Sequence, residues 1–117
     1  MTATGSPRFV VATHVKAGRD DDFEQFMRDV VVPAEVRVRP HQVGMWQLMR
    51  PATDQPEGGS RAWIMTFHGP STLDEWSLEP LFVEAYGADA SREHLRHFED
   101  MVEGEQTVYA VDGESVL

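Results

Sequence analysis

Cysteine is absent from this chain of 117 residues. Its absence excludes disulfide bonds, thiolate metal sites and a cysteine nucleophile, although it does not by itself indicate a cellular compartment. Long hydrophobic runs are missing as well, since no stretch reaches the roughly 18 apolar residues that a membrane-spanning helix needs. The N-terminal residues also lack the apolar run of a signal peptide. The sequence therefore predicts a soluble cytoplasmic protein without a membrane partner.

The chain also has few basic residues. Ten lysines and arginines stand against twenty aspartates and glutamates, which gives a net charge of -10. This excess of acid repels the phosphates of nucleic acids, so we exclude nucleic acid as a partner. A chain of this length builds one core, and we predict a single domain at 8–111. Residues 1–7 are predicted to be a disordered N-terminus, and residues 112–117 a polar C-terminal tail.

The segment 61–87 organises the rest of the chain. Its first part, 62–68, alternates two sets of side chains that are both largely apolar, which indicates a strand covered on both faces. A glycine-proline pair interrupts the strand, and Ser71 or Thr72 is a candidate N-cap for a helix that Gly87 ends. The apolar positions of this helix share one side, and they are Trp76, Leu78, Leu81, Phe82 and Ala85.

Three further strands are predicted from period-two alternation, at 8–16, 42–50 and 107–111. Residues 51–60, PATDQPEGGS, are turn-forming residues that join the second and third strands into a long-looped hairpin. An exposed loop is the preferred interpretation of this segment. The alternative is a mobile loop that closes over a ligand.

Two further helical regions are predicted from spacings of three and four. The inward positions of the first are Phe23, Phe26, Met27, Val30 and Ala34. Pro33 should kink this helix, which ends before Pro40. Ser91 is a candidate cap for the last helix, and the inward positions there are Leu95, Phe98 and Val102.

The order strand, helix, strand, strand, helix, strand predicts an α+β, ferredoxin-like βαββαβ fold. In this fold, a four-stranded antiparallel sheet carries helices on one face. Because the middle strands are apolar on both faces, the other side of the sheet would expose a larger apolar patch than a soluble monomer usually tolerates. A second copy of the sheet is the simplest cover, so we predict a homodimer.

The stretch RAWIMTFHGPSTLDEWSLEPLFVEAY, at 61–86, resembles the third strand and second helix of the antibiotic-biosynthesis monooxygenase-like family. These proteins are dimeric α+β barrels, and they include cofactor-free oxygenases and haem-degrading enzymes. Trp76 and Phe82 match the haem-degrading branch, and Tyr86 stands where that branch has its iron-ligating histidine. The first strand, RFVVATHVK, lacks the asparagine of that branch.

The resemblance implies a cofactor-free monooxygenase, cyclase or isomerase that acts on an aromatic or polyketide-like compound in an apolar pocket. It leaves haem binding through Tyr86 or a histidine as an alternative. A third possibility is a non-catalytic dimeric binding module, because fold does not determine function.

His14 and His68 lie in the last third of their predicted strands, where either can point into a cavity between the sheet and a partner. An imidazole, whose unperturbed pKa is about 6.5, is the side chain best suited to remove a proton near neutral pH. A general base contributes about 10² to 10⁴-fold to such a step. We therefore predict both histidines as catalytic. The alternative is two strand-end histidines that are hydrogen-bonded at the surface.

Four residues are predicted to bind substrate. Trp63 and Trp76 can stack on an aromatic compound, Tyr86 can donate to a substrate oxygen, and Arg50 can anchor an anion. Core packing of the tryptophans and solvent exposure of Arg50 are the alternatives. His94 and His97 are three residues apart, but a solvated helix face explains them better than a metal, so we predict neither a metal nor another cofactor.

Overall fold

The computed structural model describes residues 7–69 and 72–117. Its antiparallel sheet consists of β1 (Pro7–Thr13), β2 (Trp46–Met49), β3 (Trp63–His68) and β4 (Thr107–Ala110). The strands lie in the order β2-β3-β1-β4. Helices separate β1 from β2 and β3 from β4, which is the connectivity of a ferredoxin-like fold. The predicted α+β, ferredoxin-like class is confirmed.

Four α-helices accompany the sheet in the described chain: α1 (Asp20–Phe26), α2 (Val32–Val38), α3 (Leu78–Tyr86) and α4 (Ala88–Met101). A π-helical turn at Met27–Val31 joins α1 to α2, and short 3-10 turns lie at Pro40–Gln42 and Leu73–Trp76.

The described chain divides into two compact units. The sheet unit comprises residues 7–14, 44–69 and 104–117, and the helical unit comprises residues 15–43 and 72–103. The prediction of a single domain at 8–111 stays a prediction.

The strand boundaries differ from the sequence prediction mainly in the first half of the chain. β1 ends at Thr13, and Val15 makes only an isolated bridge to Val102. β2 begins at Trp46, four residues later than predicted, because Pro40 starts a 3-10 turn that takes up Gln42. Proline fixes φ near the value that such a turn needs and cannot donate to a strand ladder. The other two predicted strands agree with β3 and β4 to within one residue at one end.

The two faces of the sheet differ in burial. Val11 pairs with Met65 and Thr13 with Trp63, and all four side chains are buried. Directly opposed residues of an antiparallel pair project to the same side, so these four belong to one face. The opposite face is half-exposed or exposed at Val10, Ala12, Gln47, Met49, Ile64, Thr66, Thr107 and Tyr109, and only His68, at the end of β3, is buried there. We call this second group the open face.

The kink predicted at Pro33 stays a prediction, and the π-turn before this proline corrects one inward residue. Val31 is buried, whereas the predicted Val30 is only half-buried. A π-turn inserts one residue into the helical repeat, which moves the inward position from Val30 to Val31. Pro33 then falls in the first turn of α2, where no intrahelical donor is required. The helix ends at Val38, before Pro40, as predicted.

The predicted helix caps are corrected. Ser71 lies outside the described residues, and after Thr72 the chain makes a 3-10 turn before α3 begins at Leu78. Gly87 ends α3 as predicted, and its φ of 90° is a conformation that glycine adopts without a steric cost. Because α4 begins directly after Gly87, Ser91 lies within α4 and is buried.

The inward residues of the last two helices are confirmed in part. Leu81, Phe82, Ala85 and Phe98 are buried, as predicted. Trp76, Leu78, Leu95 and Val102 are only half-buried, and Met101 takes the final buried position of α4.

Candidate active site

The two predicted bases lie at opposite ends of the β1 and β3 pair. His68 is opposite Pro7, whereas His14 follows Thr13, which is opposite Trp63. At about 3.3 Å per residue, the length of β3 places the two imidazoles on the order of 20 Å apart. One small substrate therefore cannot contact both histidines of a single chain, and the sheet offers two separate candidate sites.

His14 has a defined tautomer. Its Nδ1 lies 3.0 Å from the main-chain carbonyl oxygen of Arg61. A carbonyl oxygen only accepts hydrogen bonds, so Nδ1 must carry the proton that is donated. The neutral ring then keeps its lone pair on Nε2, which is the atom that can accept a proton from a substrate. The residue is half-buried, so a small molecule can still reach it.

His68 lies at the other end of the pair and is 7% exposed. Its Nε2 is 3.1 Å from the hydroxyl oxygen of Thr66, and that hydroxyl is 3.5 Å from Oε1 of Gln47. These three side chains form a polar row across β2 and β3. A hydroxyl both donates and accepts, so this row does not by itself decide which nitrogen of His68 carries the proton.

The polar row was not predicted from the sequence. Thr66 precedes His68 by two residues on one strand, so strand alternation could have identified it as a neighbour on the same face. The pairing of Gln47 with Thr66 depends on the register between β2 and β3, which the sequence pattern does not determine.

Arg50 and Trp63 are brought together at the same end of the sheet as His14. The guanidinium carbon of Arg50 lies 5.6 Å from the centre of the Trp63 ring. This separation is within the range of a cation-π interaction. Trp63 is 1% exposed and fills the core, so its ring is less available for stacking on a substrate than predicted.

Tyr86 is placed in the helical unit, at the last residue of α3. Its hydroxyl donates a hydrogen bond of 2.7 Å to the carbonyl of Val30 in the π-turn. Its ring also lies 5.0 Å from that of His94 and 5.7 Å from the guanidinium of Arg37. A phenolate that ligated haem iron could not make the bond to Val30, because it would have no proton to donate. Tyr86 therefore does not fit the role of a haem ligand in this structure.

Trp76 also lies in the helical unit, where it ends the 3-10 turn before α3 and is half-buried. Next to it, the main-chain carbonyl of Glu75 accepts hydrogen bonds from Gln42 at 2.7 Å and from Arg39 at 3.1 Å. These bonds hold the turn in place. Substrate binding by Trp76 and Tyr86 stays a prediction.

His94 and His97 both pack against Phe26, with ring centres 6.3 and 5.3 Å from it. Within residues 7–69 and 72–117, no group of three or more metal-ligating side chains converges. The same residues contain no helix with the length and hydropathy to cross a membrane.

Arg19 is the group with the clearest electrostatic perturbation in the helical unit. Hydrogen bonds to the carboxylates of Asp22, at 2.8 Å, and Asp100, at 3.2 Å, raise the pKa of Arg19 above its ordinary value. These contacts join the start of α1 to the end of α4.

The fold and these contacts define an α+β protein with the ferredoxin-like strand order and a histidine of fixed tautomer at one end of its sheet. No protein-family model matches the chain, and no curated protein matches it. Among solved structures, it matches a crystal structure from Caulobacter crescentus that is provisionally described as an antibiotic biosynthesis monooxygenase. The TM-score is 0.46 at 15% identity, and the match covers 95% of this chain and 92% of that chain.

Proposed function

We propose that this protein is a small-molecule enzyme in which His14 removes a proton from an aromatic or polyketide-like substrate. The observation that carries the proposal is the 3.0 Å contact between Nδ1 of His14 and the carbonyl oxygen of Arg61. It fixes the ring orientation and leaves the basic lone pair on Nε2, which is how a general base is held for proton transfer. His68 is the second candidate base.

Proton removal is the step shared by the activities that the sequence resemblance implies. A carbon acid next to a carbonyl group becomes an enolate, which can react with dioxygen, cyclise or return the proton at another carbon. In the oxygenation of a methylene group to a carbonyl, one dioxygen is consumed and one water is formed. Each of these reactions begins when a base takes a proton from carbon, and His14 is a residue of that chemical type.

Hydrogen exchange tests this step independently of the later fate of the enolate. Anthrone, an aromatic ketone with an acidic methylene group, serves as the probe. Loss of its methylene signal in D2O is followed by proton NMR under anaerobic conditions, with and without protein. We expect the protein to accelerate exchange and His14→Gln to lose about 10² to 10⁴-fold of the acceleration. Admitting air then tests oxygenation, read as dioxygen uptake and anthraquinone formation.

His41→Gln is the matched control, because His41 is an exposed histidine in the 3-10 turn of the helical unit. It should exchange the probe at the wild-type rate. His68→Gln is measured in parallel. If only this variant loses the acceleration of hydrogen exchange, His68 rather than His14 is the base. Wild-type exchange in both His14→Gln and His68→Gln would refute histidine-based proton removal.

We also infer that the protein forms a homodimer through the open face. Val10, Ala12 and Ile64 are apolar residues at its centre and remain half-exposed. Around them, Met49 and Tyr109 are 45% and 55% exposed. An apolar sheet face of this kind is favourably covered by a second copy of itself. The dimer would shelter a substrate that the single chain leaves in water.

A further inference from the structure

The open face is uncharged at every position that the strand register pairs, although the chain has twenty acidic and ten basic residues. Acidic residues of the sheet unit lie instead beyond the strands, at Asp54, Glu57 and Glu105, and all three are exposed. An uncharged face in a chain of net charge -10 favours a neutral ligand over an anion.

The centre of the open face is a strip along β1. Its residues are Val10 and Ala12, which are small, apolar and half-exposed. The residues that flank this strip on β3 and β4 are Ile64, Thr66, Thr107 and Tyr109. A flat apolar ring system that lies on the strip removes apolar surface from water on both partners.

His14 stands at one end of the strip. Side chains alternate along an extended chain, and Thr13 and Val15 are buried whereas His14 is half-buried. The imidazole therefore projects to the same face as Val10 and Ala12. Four residues of extended chain place the Cα atoms of Val10 and His14 about 13 Å apart.

Tyr109 stands at the other end, where it pairs with Val10. It is 55% exposed, and its hydroxyl makes no hydrogen bond within the described part of the chain. The hydroxyl of Thr66, on the other side of Val10, already contacts His68 and Gln47. A phenol hydroxyl both donates and accepts, so Tyr109 offers an available hydrogen-bonding group at this end of the strip.

We propose that a hydroxylated aromatic ketone lies along β1 on the open face, with its acidic carbon at Nε2 of His14 and its far oxygen hydrogen-bonded to Tyr109. After about 3 Å for each polar contact, the strip leaves about 7 Å between these two substrate atoms, a length of the size that two fused rings span. The proton passes from the substrate carbon to Nε2, and the electron pair of the broken C–H bond stays on the substrate as the enolate.

The inference rests on the proposed function, because it uses the same base. It goes further in placing a neutral substrate on the open face and in assigning Tyr109 as the residue that selects it. The proposed homodimer would then close over the ligand.

Equilibrium binding tests the selection separately from the chemistry. The probes are 6-hydroxy-2-tetralone and 2-tetralone, which differ by one hydroxyl group, and Kd is measured by isothermal titration calorimetry without oxygen, at a pH where the phenol of the probe is neutral. We expect the hydroxylated ketone to bind about 3- to 10-fold more tightly. Tyr109→Phe should abolish this preference and change the affinity for 2-tetralone less than about 2-fold.

Arg8→Gln is the control, because Arg8 is an exposed residue with hydrogen-bond donors at the same end of β1, at the register shift between Pro7 and Phe9. It should keep the preference for the hydroxylated ketone. A preference that is lost in Arg8→Gln and kept in Tyr109→Phe would overturn the assignment of Tyr109. Circular dichroism and analytical ultracentrifugation of each variant show whether fold and oligomeric state are retained.

The failures are distinguishable. If both ketones bind equally, if neither binds, or if the preference survives Tyr109→Phe, this inference is refuted even when exchange of anthrone still depends on His14. If the preference depends on Tyr109 but deuterium exchange at the tetralone methylene does not depend on His14, the face binds the ketone and the proposed proton transfer is wrong.

Discussion

His14 and His68 are the same residue type at the ends of two strands, and their hydrogen-bond partners give them different chemistry. The carbonyl of Arg61 only accepts, so His14 has its proton on Nδ1 and its lone pair on Nε2. The hydroxyl next to His68 accepts or donates, so this contact does not by itself fix the tautomer of that ring. The contact with the Arg61 carbonyl is therefore what favours His14 as the base.

The hydroxyl of Tyr86 donates a hydrogen bond to the main chain. Replacing it with phenylalanine removes the 2.7 Å bond to the carbonyl of Val30. We expect Tyr86→Phe to lower the free energy of unfolding by about 1 kcal/mol, measured by urea denaturation. Val36→Ala is the control, because Val36 is 59% exposed on α2 and lies outside the open face, and it should change stability by less than about 0.5 kcal/mol. Equal stability of both variants would show that the bond to Val30 contributes nothing.

At the scale of the element, the π-turn sets which face of the helix after it is buried. One extra residue before Pro33 rotates the following positions, so that Val31 and Ala34 are buried while Val30 is half-buried. The proline then occupies the first turn of α2, where its missing N–H has no cost. The change of inward residue therefore follows from the π-turn.

A pair of truncations tests this register. Val31→Ala removes buried methyl groups and should cost about 2 kcal/mol of unfolding free energy, whereas Val30→Ala should cost less than about 1 kcal/mol. Urea denaturation of the two variants measures the difference. A regular α-helix through this segment predicts the reverse order, so a larger loss at Val30 would rule out the π-turn.

The contact between α1 and α4 depends on charge. The carboxylates of Asp22 and Asp100 raise the pKa of Arg19 above its ordinary value, so the stabilisation is complete at all lower pH values and is lost only as pH rises through the folded pKa. We expect Arg19→Gln to lower Tm by the same amount at about pH 6 and pH 9, and by less in high salt. A Tm difference that changes between these two pH values would contradict this account.

At the scale of the whole molecule, the open face and the net charge act in opposite directions. A charge of -10 on each chain opposes association, and a central group of half-exposed apolar residues favours it. Sheltering the apolar face from water is the larger effect if the protein is the homodimer that we propose. Association should then become tighter as salt screens the repulsion between chains.

Ile64→Lys tests the dimer, because Ile64 lies at the centre of the open face opposite Ala12. We expect the wild-type protein to sediment as a dimer and this variant to sediment as a monomer in analytical ultracentrifugation. Val36→Lys is the control, since Val36 is a 59% exposed apolar residue on α2, and it should remain dimeric. A wild-type protein that stays monomeric at high concentration would overturn the proposal.

The sequence by itself determined the order of strands and helices and located β3 to within one residue. These features depend on local patterns, because alternation, helical spacing and glycine or proline signals are properties of neighbouring residues. The Trp63 to His68 strand is recognisable on these grounds alone. The same patterns indicated a ferredoxin-like fold, since few topologies accommodate that order of elements.

Only the tertiary structure decided the features that depend on residues far apart in the chain. His14 and Arg61 are 47 residues apart, and Tyr86 and Val30 are 56 apart, so no local pattern could have predicted either hydrogen bond. The antiparallel register also separated the two candidate bases, because it placed one at each end of the strand pair. Tautomer, neighbouring charge and distance are set by such long-range contacts, and they distinguish a candidate base from an ordinary histidine.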